Sequence, residues 1–223
     1  MFNLFSAVRA FSRRMAQALP GFLLAGLLLS ATVARATTVI PPSFAELVKD
    51  ADAIHRGTVT AVEARRVEGP AGSGSFIKTF VTVSIERTLK GAAPAAREVT
   101  LEFLGGTVGQ DSMIVTGMPK FAVGEREFVF VQKNGTQFCP LVAVMHGRYR
   151  VLRDEATAKE FVARDNGAPL SDTAEVGLPM TSLPAPVRAA SAAGAIARAL
   201  TPAAFESSIT AELDRLEQRA NPN

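Results

Sequence analysis

FIKTFVTVSIERTL, residues 76–89, is the stretch that decides the fold class of this chain. Ile77, Thr79, Val81, Val83 and Ile85 occupy every second position, and all of them except Thr79 are apolar. Most of the positions between them are polar. This period of two predicts a β-strand with one face in a core and the other face mostly wet.

Segments with the same period lie on both sides of this strand. They cover residues 54–63, 99–103, 113–116, 125–132 and 138–145, with further short stretches around Tyr149, Val151 and Phe161. A glycine-rich loop at 69–75 and the pair Asn134-Gly135 are hairpin signals between them. Many short strands separated by turns predict an all-β fold, an antiparallel closed or partly open barrel over residues 37–164.

Two helices are predicted at the ends of this region. Ser43 and Glu46 match the capping-box pattern, which predicts a short N-terminal helix over 44–49. Thr201-Pro202 matches an N-cap followed by a first-turn proline, and it predicts a C-terminal helix over 201–220. Its apolar face would hold Phe205, Ile209, Leu213 and Leu216. That face either packs on the sheet or on a second copy, or it docks another protein. Residues 165–200, rich in Ala, Pro and Ser, are predicted to be a linker.

Residues 1–36 have the pattern of a secretory signal peptide. Arginines at the start precede the apolar run 22–33, and Ala34-Arg35-Ala36 supplies small residues at a cleavage site before Thr37. The run is shorter than the roughly 20 residues that a membrane span needs. General secretion is favoured over the twin-arginine route because Met15-Ala16-Gln17 lacks the expected apolar pair. The predicted location is periplasmic or secreted, with no stable membrane span after cleavage.

Removal of this signal changes the charge balance. The whole chain has 24 Lys and Arg against 21 Asp and Glu, and the signal contains four arginines and no acid, so the mature chain has 20 against 21. A net charge of −1 gives no basic surface for nucleic acid, which is excluded as a partner.

The sequence contains no recognisable catalytic or metal-binding motif. His55, His146 and the single cysteine, Cys139, have no metal-ligand spacing, and Cys139 is interpreted as a small buried hydrophobe. No G-x-S-x-G motif occurs, and Gly105-Gly106 is interpreted as a turn after a strand. No catalytic residue, metal ligand or cofactor is therefore assigned.

Two groups of charged residues fall in the later strands. Glu125 and Glu127 are interpreted as a solvated start of a strand. Arg148, Arg150 and Arg153 are interpreted as a surface face, with an anion-binding site as the alternative.

The order of blocks in the mature chain resembles the netrin-like domain of tissue inhibitors of metalloproteinases. The matching blocks are TTVIPP at 37–42, ADAIHRGTV at 51–59, IERTLKG at 85–91 and REVTLEF at 97–103. The same order is similar to that of many secreted bacterial proteins of unknown role. The resemblance implies an OB-type barrel over residues 37–153. It also implies that the α-amine of Thr37 chelates a protease zinc and that Thr38 enters the specificity pocket. The family begins with a disulfide-bonded cysteine, which this chain lacks.

Taken together, these features predict an exported, non-enzymatic module that binds a protein partner, of which a metalloprotease is the most concrete candidate. Thr37, Thr38, Arg148 and Arg150 are the predicted partner-binding residues. Two alternatives stay open: a secreted hydrolase with an unrecognised site, and a structural protein of the envelope or cell surface.

Overall fold

The computed structural model describes residues 40–69, 74–180 and 194–221. These residues belong to one unit that begins at Val39. The predicted signal peptide, Thr37 and Thr38, and residues 181–193 of the predicted linker lie outside the described residues.

The fold is built on a six-stranded antiparallel sheet in the order β3-β2-β1-β6-β7-β8. The strands of this sheet are β1 (Ala53–Glu68), β2 (Ser75–Lys90), β3 (Glu98–Leu104), β6 (Arg126–Val131), β7 (Arg148–Arg153) and β8 (Glu160–Arg164). A small second sheet pairs β4 (Gly106–Val108) with β5 (Asp111–Met113). The all-β, antiparallel prediction is confirmed at this level.

The predicted closure into a barrel is not found, and both edge strands form hydrogen bonds with other segments of the chain. No ladder joins β3 to β8 within the described ranges. At the β3 edge, the side-chain amide of Asn134 accepts from the N–H of Glu102 (3.0 Å) and donates to the carbonyl of Thr100 (2.7 Å). At the β8 edge, the backbone of Val162 bonds to Leu170 and Leu200. Edges whose N–H and C=O groups are already satisfied have little to gain from pairing with each other.

Strand β2 confirms the alternation seen in the sequence. Ile77, Val81, Val83 and Ile85 are all buried. The register between β1 and β2 shifts at Gly57, where an added Cβ would lie 2.2 Å from the carbonyl oxygen of Ser84. Glycine is required there because only hydrogen fits this close approach of two backbones.

Strand β6 departs from the expectation of one wet face. Phe128 and Phe130 point into one core cluster, and Val129 and Val131 point into a second cluster on the opposite face. Helices cover the first face, and the loops that contain Met118, Phe121 and Leu141 cover the second. The sheet is therefore buried on both sides at its centre.

Both predicted helices are present. Helix α1 (Phe44–Asp50) begins at a complete capping box between Ser43 and Glu46. Helix α2 (Pro202–Ala220) begins at Thr201, whose hydroxyl accepts a hydrogen bond from Ala204 N–H. The buried face of α2 packs on the sheet through Phe205 and Ile209, which belong to the same core cluster as α1.

Residues 138–145 do not form the predicted strand. Leu141 makes a single bridge to Val131, and a 3₁₀ helix, Val144–Gly147, follows. Pro140 has no N–H to donate to a ladder, and Ala143 and Val144 have positive φ angles, which end extended structure. The Asn134-Gly135 turn therefore leads into a loop rather than into a second hairpin strand.

The described parts of the predicted linker pack against the domain. Leu170 and Val176 are fully buried in the helix-covered core. Residues 194–198 are helical, and Ile196 and Ala199 pack with Phe161 of β8. Isolated apolar residues in an Ala- and Pro-rich stretch give no periodic signal, so their burial was not predictable from local sequence.

Candidate binding cleft

The glycine pair after β3 turns the chain back over the sheet. Gly105 and Gly106 have φ angles of 98° and 138°. An added Cβ on Gly106 would lie 2.5 Å from the hydroxyl oxygen of Thr79, and one on Gly105 would lie 2.7 Å from the carbonyl oxygen of Met113. The Thr79 hydroxyl donates to the carbonyl of Gly105 (2.7 Å). The predicted turn is confirmed, and it places the β4–β5 hairpin above β1 and β2.

A cleft of about 470 Å³ lies between this hairpin, the sheet and the loop that follows β5. The residues that line it include Val62, Val81, Phe103, Met113, Ile114, Met118, Lys120 and Phe121. Its size falls within the range of protein ligand pockets, and most of its lining is apolar. Ile114 stands at the cleft with 88% of its surface exposed, the largest exposure among the large apolar residues that the structure describes.

Arg148 contacts residues 117–122, which form one wall of the cleft. The guanidinium Nη1 donates to the carbonyl of Lys120 (2.6 Å), and the guanidinium carbon lies 4.1 Å from the centroid of the Phe121 ring. The Phe121 ring in turn contacts Phe103, with 5.2 Å between ring centroids. Because a buried cation and a core ring hold this wall on two sides, the cleft is preformed.

Arg148 itself lies at the centre of a charge cluster, defined here as Glu125, Glu127, Arg148, Arg150 and Asp165, in which Glu127 and Arg148 are buried and the other three side chains are partly exposed. Arg148 binds both carboxylate oxygens of Glu127, at 3.0 and 2.6 Å. It also donates to Glu125 (2.8 Å) and Asp165 (2.9 Å), and Arg150 donates to the second oxygen of Glu125 (2.7 Å). Together with the bond to Lys120, these contacts use all five N–H donors of the Arg148 guanidinium.

This placement corrects two sequence interpretations. Glu127 is fully buried rather than part of a solvated strand start, and Arg148 is buried rather than on a surface face. Arg150 is half-buried against Glu125. A buried guanidinium requires acceptors for its N–H groups, and the neighbouring carboxylates supply them to both arginines. Arg148 is thus already occupied by groups of its own chain.

Glu127 of this cluster and His146, two residues before Arg148 in the chain, should make stability depend on pH. Burial raises the pKa of Glu127 to about 7, although Arg148 opposes this shift. Burial and Arg164 lower the pKa of His146 to about 4. A raised acid pKa gives stability that is lost as pH rises from about 4.5 to 7, whereas a lowered histidine pKa gives stability that is lost as pH falls from about 6.5 to 4. Between these limits the two contributions oppose each other.

We therefore expect the Glu127→Gln variant to expose the histidine contribution. Its free energy of unfolding should rise with pH between 4.5 and 6.5, with a slope up to about 1.4 kcal/mol per pH unit steeper than that of the wild type. His146→Gln should change the slope in the opposite direction. Urea denaturation at several pH values measures both slopes, and parallel profiles for the wild type and the two variants would contradict the assignment.

The other candidate chemical groups are buried and separate. The Nδ1 atom of His55 lies 3.1 Å from the Thr88 hydroxyl, and burial lowers the pKa of His55. Burial raises the pKa of the Cys139 thiol to about 11, which keeps it protonated and unreactive at neutral pH. Across residues 40–69, 74–180 and 194–221, no cluster of three or more His, Cys, Asp or Glu side chains is placed to bind a metal.

Comparison with known protein families and with curated proteins finds no match for this chain. None of the helices in the described part of the chain is long and apolar enough to cross a membrane. Thr37 and Thr38 lie outside the described residues, so their role in partner binding remains a prediction.

Met113, Ile114 and Met118 are the cleft residues that sequence reasoning missed. Met113 and Ile114 fall in the predicted strand 113–116, which in the structure ends at Met113, and Met118 falls in the loop Gly117-Met118-Pro119, so neither pattern indicates a cleft. The pairing of Glu125 and Glu127 with Arg148 and Arg150 had a better signal, since both pairs repeat with a period of two in successive strands.

Proposed function

We propose that the mature chain is an exported, non-enzymatic binding module that docks a protein partner in the cleft above β1, β2 and β3. The observation that carries this proposal is a preformed apolar cleft with Ile114 exposed at it. Exposed apolar surface beside a shaped pocket is typical of interaction sites. Methionines such as Met113 and Met118 suit such a site because their flexible side chains adapt to a partner.

The chemical groups in the described chain favour binding over hydrolysis. A nucleophile needs a base within hydrogen-bond reach and access to substrate. Cys139, His55 and His146 are each at least 97% buried, and none of the three lines the cleft. The hydrolase alternative therefore has less support than the binding module.

Ile114→Asp is the most direct test of the cleft. A carboxylate at an apolar docking site should weaken partner binding at least about tenfold, as loss of an interface hot spot does. Stability should change by less than about 0.5 kcal/mol because the side chain is exposed. The partner is captured with residues 37–223, identified, and titrated by calorimetry against the wild type and the variant.

Val123→Asp is the matched control. Val123 is also an exposed aliphatic residue, at 65%, but it does not line the cleft. The Val123→Asp variant should bind the partner with the same affinity as the wild type. Equal affinity of all three proteins would exclude the cleft as the docking site.

The more specific form of the proposal is inhibition of a metalloprotease by the N-terminal arm. It rests on the family resemblance and on the position of the arm, which leads into α1 and has Ile40 84% exposed. We expect residues 37–223 to inhibit a secreted metalloprotease and one added alanine before Thr37 to abolish inhibition, because the α-amine could no longer chelate zinc. Absence of inhibition would remove this form and leave docking in the cleft to its own test.

We further propose an OB-type, netrin-like curvature for the sheet and export to the periplasm or beyond. The support for curvature is the 16-residue strand β1, whose pairing with β2 shifts register near His55, Gly57 and Ala61. Such bulges bend strands and increase their twist. The support for export is the signal-like pattern of residues 1–36, and N-terminal sequencing of the secreted protein tests it.

A further inference from the structure

Lys120 is the charged residue among those that line the cleft. Its side chain is exposed, and its ammonium group makes no hydrogen bond or ion pair with any residue that the structure describes. Asp111 in β5, the acidic residue of the β4–β5 hairpin, is paired with Arg66 of β1. The residues that line the cleft are thus mostly apolar, with one positively charged residue, Lys120, that has no acidic partner among the described residues.

The backbone that carries Lys120 is held in place. Pro119 before it is buried, and Phe121 after it lies between Arg148 and Phe103. The carbonyl of Lys120 accepts a hydrogen bond from Arg148. Little backbone entropy therefore remains to be lost here when a partner binds, and mainly the Lys120 side chain has to be ordered.

We propose that the partner segment that enters the cleft carries an apolar side chain next to a carboxylate, which pairs with Lys120. This inference rests on the proposed function and adds the chemistry of the partner. The apolar side chain would contact Met113, Ile114 and Met118, and the aspartate or glutamate would lie at the Lys120 wall. Electrostatic complementarity of this kind sets the specificity of an interface more than its total affinity.

A charge-swap experiment tests the proposal. A random peptide library displayed on phage is selected on the processed protein, and the enriched peptides are synthesised. We expect an aliphatic or aromatic residue beside Asp or Glu in these peptides. Lys120→Glu should weaken their binding at least about tenfold, and changing the acidic residue of the peptide to lysine should restore binding to the variant.

The controls separate this inference from the proposed function. Arg153→Glu changes the net charge equally at an exposed position that does not line the cleft, and it should leave binding unchanged. Ile114→Asp should abolish binding of every selected peptide. If Ile114→Asp abolishes peptide binding but Lys120→Glu leaves the affinity unchanged, the acidic-partner inference alone is overturned. Peptides indifferent to Ile114, or no enrichment at all, would overturn both.

Discussion

Replacing Arg148 with methionine should lower the free energy of unfolding by about 3–5 kcal/mol, because it leaves Glu127 buried without its partner. Methionine keeps the length and apolar stem of the side chain, so the change removes mainly the charge. Glu127 is fully buried and has both of its oxygens bound to Arg148. Without that cation, its carboxyl should take up a proton, and the loss of stability should therefore be larger at pH 8 than at pH 5.

Two companion variants make this prediction specific. Arg150→Met removes a half-buried charge whose one ion pair with a described residue is to Glu125, and it should cost no more than about 1 kcal/mol. Arg148→Met combined with Glu127→Leu removes both members of the bidentate pair and should recover most of the lost stability, because well-packed apolar residues can replace a buried ion pair. Urea denaturation gives all three values. A loss of less than about 1 kcal/mol for Arg148→Met would contradict the burial of an obligatory ion pair.

The same variant should also loosen the cleft. Arg148 holds the carbonyl of Lys120 and the ring of Phe121. Hydrogen exchange in residues 117–122 should accelerate in Arg148→Met under native conditions, while exchange in the interior strand β2 should stay slow. Equal exchange in the wall of the wild type and the variant would mean that the buried cluster stabilises the sheet without shaping the cleft.

Local sequence patterns were sufficient to predict the elements whose formation depends on residues close together in the chain. The alternation of 76–89 predicted the buried face of β2, and Ser43 and Thr201 predicted the starts of both helices. These features depend on neighbours within a few residues, so they are visible without tertiary structure.

Features that depend on residues far apart in the chain could not be predicted from these local patterns. Asn134 looks like a hairpin residue in the sequence, but it caps the edge of β3 from more than thirty residues away. Arg148 looks like a surface charge, but its carboxylate partners lie on β6, in the loop before it and after β8. The cleft requires the glycine turn, the hairpin and the buried cation together, and no single segment encodes it.

Replacing Phe205 with alanine should lower the free energy of unfolding by about 3–5 kcal/mol, as much as Arg148→Met. Phe205 is fully buried, and its ring centroid lies 5.1 Å from those of Phe128 and Tyr149 and 6.0 Å from that of Phe44. Removing the ring leaves a cavity where α2 packs against α1 and the sheet.

The matched control is Phe138→Ala, since Phe138 is 53% exposed and its loss should cost about 0.5 kcal/mol or less. The comparison also decides how α2 is used. Its apolar residues Phe205 and Ile209 already belong to the core, so the helix has no free apolar face at these positions for another protein. If Phe205→Ala left stability unchanged and α2 exchanged its amide hydrogens as fast as a free peptide, the helix would be only loosely attached, and docking of a partner by α2 would become the better interpretation.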